Sequence, residues 1–291
     1  MYQVVDINED NKEIYAGFIP EDLTENVGRS YYRFILIADN DNNSIICGMV
    51  WIMKHLEEYS VDTESNIIWI RCDDNDYFDT LMEAYATRAK EEGAVRSHVF
   101  IPVKDGKEMK ALLSNVGFNM RLAESDTVLV KLSELSAMPL MKKMKDLPKP
   151  ERIMPLNQLT MRSFRKGISK CISQHRYGLC EDLSELGIYW FEDDVSCVSA
   201  VDNGINGFFL LHKRPSGVIT CQLFACLDKS FKTTLPYLMG TFVSAMLEKY
   251  DPDTLVELDR HNEQTMLLAE KIYPRGIGIP IYSGTREEHN I

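Results

Sequence analysis

Apolar and polar positions along the chain follow two periods, and the order in which the periods alternate repeats. Arg33 to Ala38 reads as a strand. Asp39-Asn40-Asp41-Asn42-Asn43 tolerates left-handed backbone, which predicts an antiparallel hairpin into a strand from Ser44. A further turn falls among the polar residues from Glu57 to Ser65, and Ile67 to Arg71 is the next strand. Leu81, Met82, Tyr85 and Ala89 then recur at helical spacing as far as Gly93, a residue suited to a helix end. Ser97 to Val103 predicts a strand, Lys107 to Val116 a short helix, and Gly117-Phe118 leads into a last pair of strands ending near Leu132.

The same order returns between Gly204 and Pro274. It runs through GINGFFLLHK, VITCQLFACLD, the long helical pattern TTLPYLMGTFVSAMLEKY, TLVELD and NEQTMLLAEKIYP. Residue identities differ throughout, while element order and spacing are nearly kept, as an internal duplication would leave them. Two halves of one fold are therefore expected: 1–137, a proline- and lysine-rich linker over 138–155, and 156–291. Met161, Phe164, Ile168 and Ile172 predict an amphipathic helix whose cations lie on other faces. Val195 to Val201, Gly207 to His212 and Val218 to Leu227 predict a three-strand meander. Thr233 or Thr234 is the expected cap of the long helix, with Pro236 in its first turn. GIGIPIYSG is expected to close the second half, and the tail from Thr285 to be polar and mobile.

Composition narrows the class. Over 291 residues, hydrophobic residues at 45% and charged residues at 26% fit a globular protein rather than a disordered one. The N-terminus lacks a basic region followed by an apolar run, and no apolar run reaches the roughly 20 residues of a membrane helix, so a cytoplasmic location is expected. Seven cysteines without a Cys-x-x-Cys pair predict reduced thiols and no zinc site. Asp73, Asp74, Asp76 and Asp79 sit at a predicted helix start, where acids favour the dipole; they lack the glycine and the twelfth-position glutamate of a calcium loop. The net charge of −12 opposes unaided nucleic-acid binding. Lys+Arg and Asp+Glu number 16 and 26 over residues 1–146 but 16 and 18 over 147–291, which makes the second half the better host for an anion.

A meander, a helix, a strand, a second helix closing on Val116-Gly117-Phe118 and a final strand resemble the GCN5-related N-acetyltransferase (GNAT) superfamily, here in tandem. The resemblance implies an α/β fold of two GNAT-like domains, each a mixed, mostly antiparallel sheet flanked by helices. It also implies acetyl-CoA as co-substrate, an amine acceptor and no metal. In that family the fourth strand splays from the fifth and acyl-CoA lies in the gap, with its pyrophosphate on a glycine-rich loop of pattern Arg/Gln-x-x-Gly-x-Gly/Ala at a helix start. Neither half carries that pattern. The first offers Asp73 to Phe78, acidic where a pyrophosphate would sit. The second offers Leu227, Lys229, Ser230, Phe231, Lys232, Thr233 and Thr234, with two cations and no glycine.

The resemblance further implies Asn262 as a contact to the CoA arm, Glu257 as a base acting through water, and Tyr273, one turn beyond the family position at Ala269, as the thiolate acid. In the first half Leu113 occupies that acid's position. Each residue also has a structural reading: Lys229 and Lys232 as solvated turn residues, Asn262 as a helix cap, Tyr273 as core. Three functional readings are open. They are an N-acetyltransferase whose second half binds the cofactor, a catalytically inactive GNAT-like binding or regulatory protein, and aminoacyl transfer from tRNA, which the acidic balance disfavours.

Overall fold

The computed structural model describes residues 2–40, 44–55, 63–176, 183–201, 204–227, 231–259, 276 and 278–288. The chain divides into two compact units, Met1–Ser125 with Ile279–Ile291, and Asp126–Gly278. Each is a mixed, mostly antiparallel sheet flanked by helices.

The first unit contains β1 (Tyr2–Asp6), a one-turn α1 (Glu21–Thr24), β2 (Tyr32–Asp39), β3 (Ile45–His55), β4 (Thr63–Cys72), α2 (Phe78–Glu91), β5 (Ala94–Pro102), α3 (Lys107–Asn115) and β6 (Asn119–Glu124). Strands β1 to β4 form an antiparallel meander. β5 runs parallel to β4, and parallel neighbours need a crossover, which α2 supplies. The apolar stripe Phe78, Leu81, Met82, Tyr85 and Ala89 buries on Ile35, Ile37, Met49, Trp51 and Val99. Trp51 and Tyr85 are fully buried and meet edge to face at 5.2 Å, each side chain stabilising the core by about 2 kcal/mol through burial.

The chain's last strand, β13 (Pro280–Glu287), lies between β5 and β6, antiparallel to both. GIGIPIYSG therefore closes the first unit rather than the second, and Thr285 to Glu287 are paired strand rather than a mobile tail. Local chemistry explains the placement. A Cβ at Gly284 would collide with Met120 Sδ, so glycine lets the Met120 side chain lie across the strand. Past the strand, the Glu288 carboxylate accepts from Ser97 Oγ at 2.5 Å and from Arg286 Nε at 2.8 Å, while the Tyr85 hydroxyl lies 2.6 Å from Ser97 Oγ. Burial pushes the Tyr85 phenol up to about 12, so it stays neutral in this network.

The exchange is reciprocal. β7 (Thr127–Lys131), the second of the pair expected to end the first half, pairs with β12 (Leu255–Asp259) in the second unit. That unit's sheet has the order β7-β12-β11-β10-β9-β8, where β8 is Ile153–Pro155, β9 Cys197–Val201, β10 Gly204–Lys213 and β11 Ile219–Cys226. Its helices are α4 (Leu132–Ala137), α5 (Pro139–Lys145), α6 (Met161–Ser173) and α7 (Phe231–Lys249).

The expected boundaries at 137 and 156 thus differ from the two units, and 138–155 is not a bare linker. Pro139 stands in the first turn of α5, where its missing N–H costs nothing, and Met141 and Met144 are buried against α7. A Cβ at Gly240 would collide with the Met144 carbonyl, so glycine lets α5 and α7 touch. Pro236 is the sixth residue of α7, not in its first turn, and Thr233 and Thr234 lie inside that helix.

Two further expectations are corrected or sharpened. Cys47 and Cys72, opposite each other in the β3–β4 ladder, form a disulfide where reduced thiols were expected. Spacing along the sequence did not show that ladder pairing brings them together. Cys171 and Cys197 remain free, and burial pushes each thiol up to about 12, which leaves them inert at neutral pH.

Deleting 279–291 removes the partner of both β5 and β6. Hydrogen exchange should then show lost protection over 94–102 and 119–124; unchanged protection there would refute the strand exchange.

A second prediction concerns Lys249, whose ammonium lies 2.7 Å from both Glu192 and Asp194, with the Tyr250 hydroxyl also on Glu192. Burial alone would raise the Glu192 carboxyl, but the hydrogen bonds from Lys249 and Tyr250 outweigh it and hold it below its ordinary value. A carboxyl lowered on folding contributes stability that is fully present above its unfolded value, about 4.3, and lost as pH falls through the folded value. Glu192→Gln should therefore cost about 1 kcal/mol at neutral pH, with the deficit vanishing as pH falls well below about 4. Thermal unfolding across pH checks this, and a deficit independent of pH contradicts it.

Candidate functional site

The feature shared by both units is a parallel pair of strands that parts. β4 pairs with β5 from Thr63 to Ile67 and no further; β11 pairs with β12 only at Ile219 with Val256 and Thr220 with Glu257. Beyond that point, the edge of β11 from 221 to 226 has no strand partner on its β12 side among the described residues. Backbone N–H and C=O groups along such an edge need a partner from elsewhere.

A β-bulge marks the parting in each unit. Leu210 faces Leu223 and Leu211 faces Cys221, so Gln222 is the extra residue of β11; Val50 and Trp51 bracket Ile68 in the same way on β4. A bulge turns two neighbouring side chains to one face and re-aims the strand beyond it. Ile68 and Trp69 accordingly pack in the same cluster of the first unit, away from α2.

In the second unit, Phe209, Leu211, Ile219, Val256 and the α7 core share one face. The register leaves His212, Thr220 and Glu257 on the other, side by side on three adjacent strands, with Leu129 of β7 next in line. Adjacent strands are about 4.8 Å apart, so the row spans roughly 10 Å from imidazole strand to carboxylate strand.

Each member of the row is held differently. His212 is 8% exposed, stacks on Trp190 at 4.1 Å, and its Nδ1 lies 2.8 Å from the Trp190 carbonyl. That contact requires the proton on Nδ1, which makes Nε2 the basic nitrogen of the neutral ring. The Thr220 hydroxyl is fully buried with no hydrogen-bond partner among the described residues. Glu257 accepts both arms of the Arg214 guanidinium, at 2.7 and 2.8 Å. The turn after β10 aims that arginine: Arg214 N donates to the Val218 carbonyl, and Gly217 supplies a φ of +87° that other residues rarely adopt.

Sequence reasoning singled out Glu257 but missed Arg214, Thr220 and His212. The pairing qualifies the expected role, because a carboxylate with both oxygens on a guanidinium can accept a proton only after Arg214 is displaced. Leu227 is buried in the core on the α6 side, and Thr234 is fully buried in α7. Phe231, Lys232 and Thr233 begin α7, but their side chains lie outside the described residues, as do Lys229, Ser230, Asn262 and Tyr273 altogether. In the first unit the corresponding row reads Ile52, Asn66, His98 and Thr285, and the acids before α2 serve local needs. Arg71 holds Asp73 at 2.8 Å, and the Asp74 side chain accepts from Asp76 N. Leu113 is core. No metal-binding cluster occurs among the described residues.

No protein-family model and no curated protein matches the sequence. Solved structures do match. A tandem GNAT protein from the clavulanic acid biosynthesis pathway, without AcCoA, aligns over 100% of both chains at a TM-score of 0.58 and 8% identity. The chain has a tandem GNAT fold. A GCN5-related N-acetyltransferase from Kribbella flavida aligns over 99% of this chain and 71% of its own, at a TM-score of 0.52 and 12% identity. A conserved protein of unknown function from Enterococcus faecalis V583 aligns over 99% and 73%, at 0.50 and 10%. The parting of β11 from β12 lies where the resemblance leads one to expect the fourth strand to splay from the fifth. No helix among the described residues is long and apolar enough to cross a membrane.

The row makes a sharp energetic prediction. Arg214→Met strands the Glu257 carboxylate, 12% exposed, and should cost about 2 kcal/mol; adding Glu257→Gln should restore most of it. Thr220→Val removes a buried hydroxyl that has no partner and should leave stability unchanged or raised. Denaturant unfolding of the four proteins measures both, and a marked loss of stability in Thr220→Val would show that its hydroxyl is paired.

Proposed function

We propose that the second unit is an acyl-CoA-dependent N-acetyltransferase site acting on an amine, and that the first unit is its structural partner. The observation that carries this reading is the parting of β11 from β12 immediately beyond Thr220 and Glu257. A strand edge suits the alternating amides of a pantetheine arm, and Thr220, whose buried hydroxyl has no hydrogen-bond partner among the described residues, stands at the point of parting. The N-terminus of the nineteen-residue α7 follows β11 and favours an anion such as a pyrophosphate. Lys229, Ser230, Phe231, Lys232, Thr233 and Thr234 would hold that group, Leu227 would floor the arm, and Asn262 would contact it. Acetyl-CoA supplies the activated acyl group.

The acceptor nitrogen must lose a proton before its C–N bond forms and the thioester C–S bond breaks, and the departing thiolate must gain one. Glu257 acts as base through water once the acceptor's own polar groups draw Arg214 away, and Tyr273 is the candidate acid. Charge supports the choice of unit: Asp73, Asp74 and Asp76 precede the equivalent helix of the first unit, Asp79 stands in its first turn, and these acids would repel phosphate.

A second reading, a catalytically inactive GNAT-like binding or regulatory protein, is favoured by one observation, the occupation of both Glu257 oxygens by Arg214. Calorimetric titration with acetyl-CoA tests the first. One site per chain with about micromolar affinity is expected, weakened at least about tenfold by Lys229→Glu with Lys232→Glu. Absence of binding, or affinity indifferent to both charge reversals, would overturn the assignment.

A further inference from the structure

Helix α6 is an anomaly of charge. From Met161 to Arg176 the chain carries Arg162, Arg165, Lys166, Lys170 and Arg176 and no acid, within a protein of net charge −12. Its buried face is fully accounted for. Phe164, Gly167, Ile168 and Cys171 pack onto the sheet, and a Cβ at Gly167 would strike the Phe208 ring.

Within the helix, Arg162, Arg165, Lys166 and Lys170 lie on other faces and are exposed. Arg165 donates to the Ser184 carbonyl at 2.5 Å, which ties α6 to the segment leading to Trp190 and His212. Arg162, Lys166 and Lys170 form no ion pair with a described residue. Like charges at four-residue spacing repel one another, so this face costs a little stability in the absence of a counter-charge.

Spacing and charge together select the partner. Residues 162, 166 and 170 form one ridge with steps of about 6 Å, four residues at about 1.5 Å each. In an extended polypeptide, side chains on one side recur every two residues, about 6.7 Å. A nucleic acid is disfavoured by charge instead, because phosphate neutralisation needs a basic surface and this chain carries a net charge of −12.

We infer that the outer face of α6 docks an extended acidic polypeptide with carboxylates at alternate positions. The helix covers the same face of the sheet as the His212–Thr220–Glu257 row, as its core cluster with Leu210, Leu223, Ala225 and Leu227 requires. A chain docked there is therefore presented on the side of that row. This inference concerns binding and does not depend on acyl transfer.

Fluorescence anisotropy of the intact protein with a labelled peptide of about twelve residues alternating Glu and Ser tests it. Binding should weaken at least about tenfold between roughly 50 mM and 500 mM sodium chloride, because screening shortens the reach of exposed charges. The variant Arg162→Glu/Lys166→Glu/Lys170→Glu should lose binding, and the triple glutamine variant should fall between, with thermal unfolding unchanged in both since all three positions are exposed. Unaltered affinity in the charge-reversed protein overturns the inference. So does equal binding of a Lys–Ser peptide. Tighter α6-dependent binding of a single-stranded RNA would also overturn it, in favour of a nucleic acid.

Discussion

Two parallel strands of the second unit stay together for two residue pairs among the described residues and then part, and the candidate chemistry of this protein depends on that parting. Strand backbone groups are costly to leave unsatisfied away from water. The parting of β11 and β12 therefore calls for a partner along β11, and the bulge at Gln222 lies just beyond the last pair. On the other side β12 is held by β7, a strand brought in from the far end of the first unit's sequence.

The reciprocal exchange of β7 and β13 makes each sheet depend on a strand distant in sequence. It also explains why the two units differ from the boundaries expected at 137 and 156. Period-two patterning around Val128, Val130 and Ile281 says that these segments are strands; it carries no information about which sheet receives them. The deciding features are long-range: Gly284 under Met120, and Ser97 meeting Glu288 across 191 residues. By contrast, the meanders, the helices after them and their order were legible, because Phe78, Leu81, Met82 and Tyr85, or the apolar face of α6, repeat at the helical period over several turns.

The site was legible only in outline. Glu257 stood out as a carboxylate within an apolar strand. Arg214 did not, because a bidentate pair 43 residues apart has no signature in spacing, and because KRPSG reads first as a turn. Thr220 and His212 were hidden for another reason. Each is a polar residue within a largely apolar strand, and only the β10–β11–β12 register sets the two in line with Glu257. Cys47 and Cys72 were likewise invisible as a pair until the β3–β4 register set them opposite each other.

The central claim is that the edge of β11 beyond its parting from β12, and not the matching edge of β4, receives an acyl-CoA. Hydrogen exchange of the intact protein with and without acetyl-CoA reads this directly, because a ligand that pairs with an open strand edge protects its amides. The account predicts new protection over 221–226 and at the start of α7, with 68–72 and the start of α2 unchanged. Protection confined to 68–72, or none in either unit at saturating ligand, would contradict it.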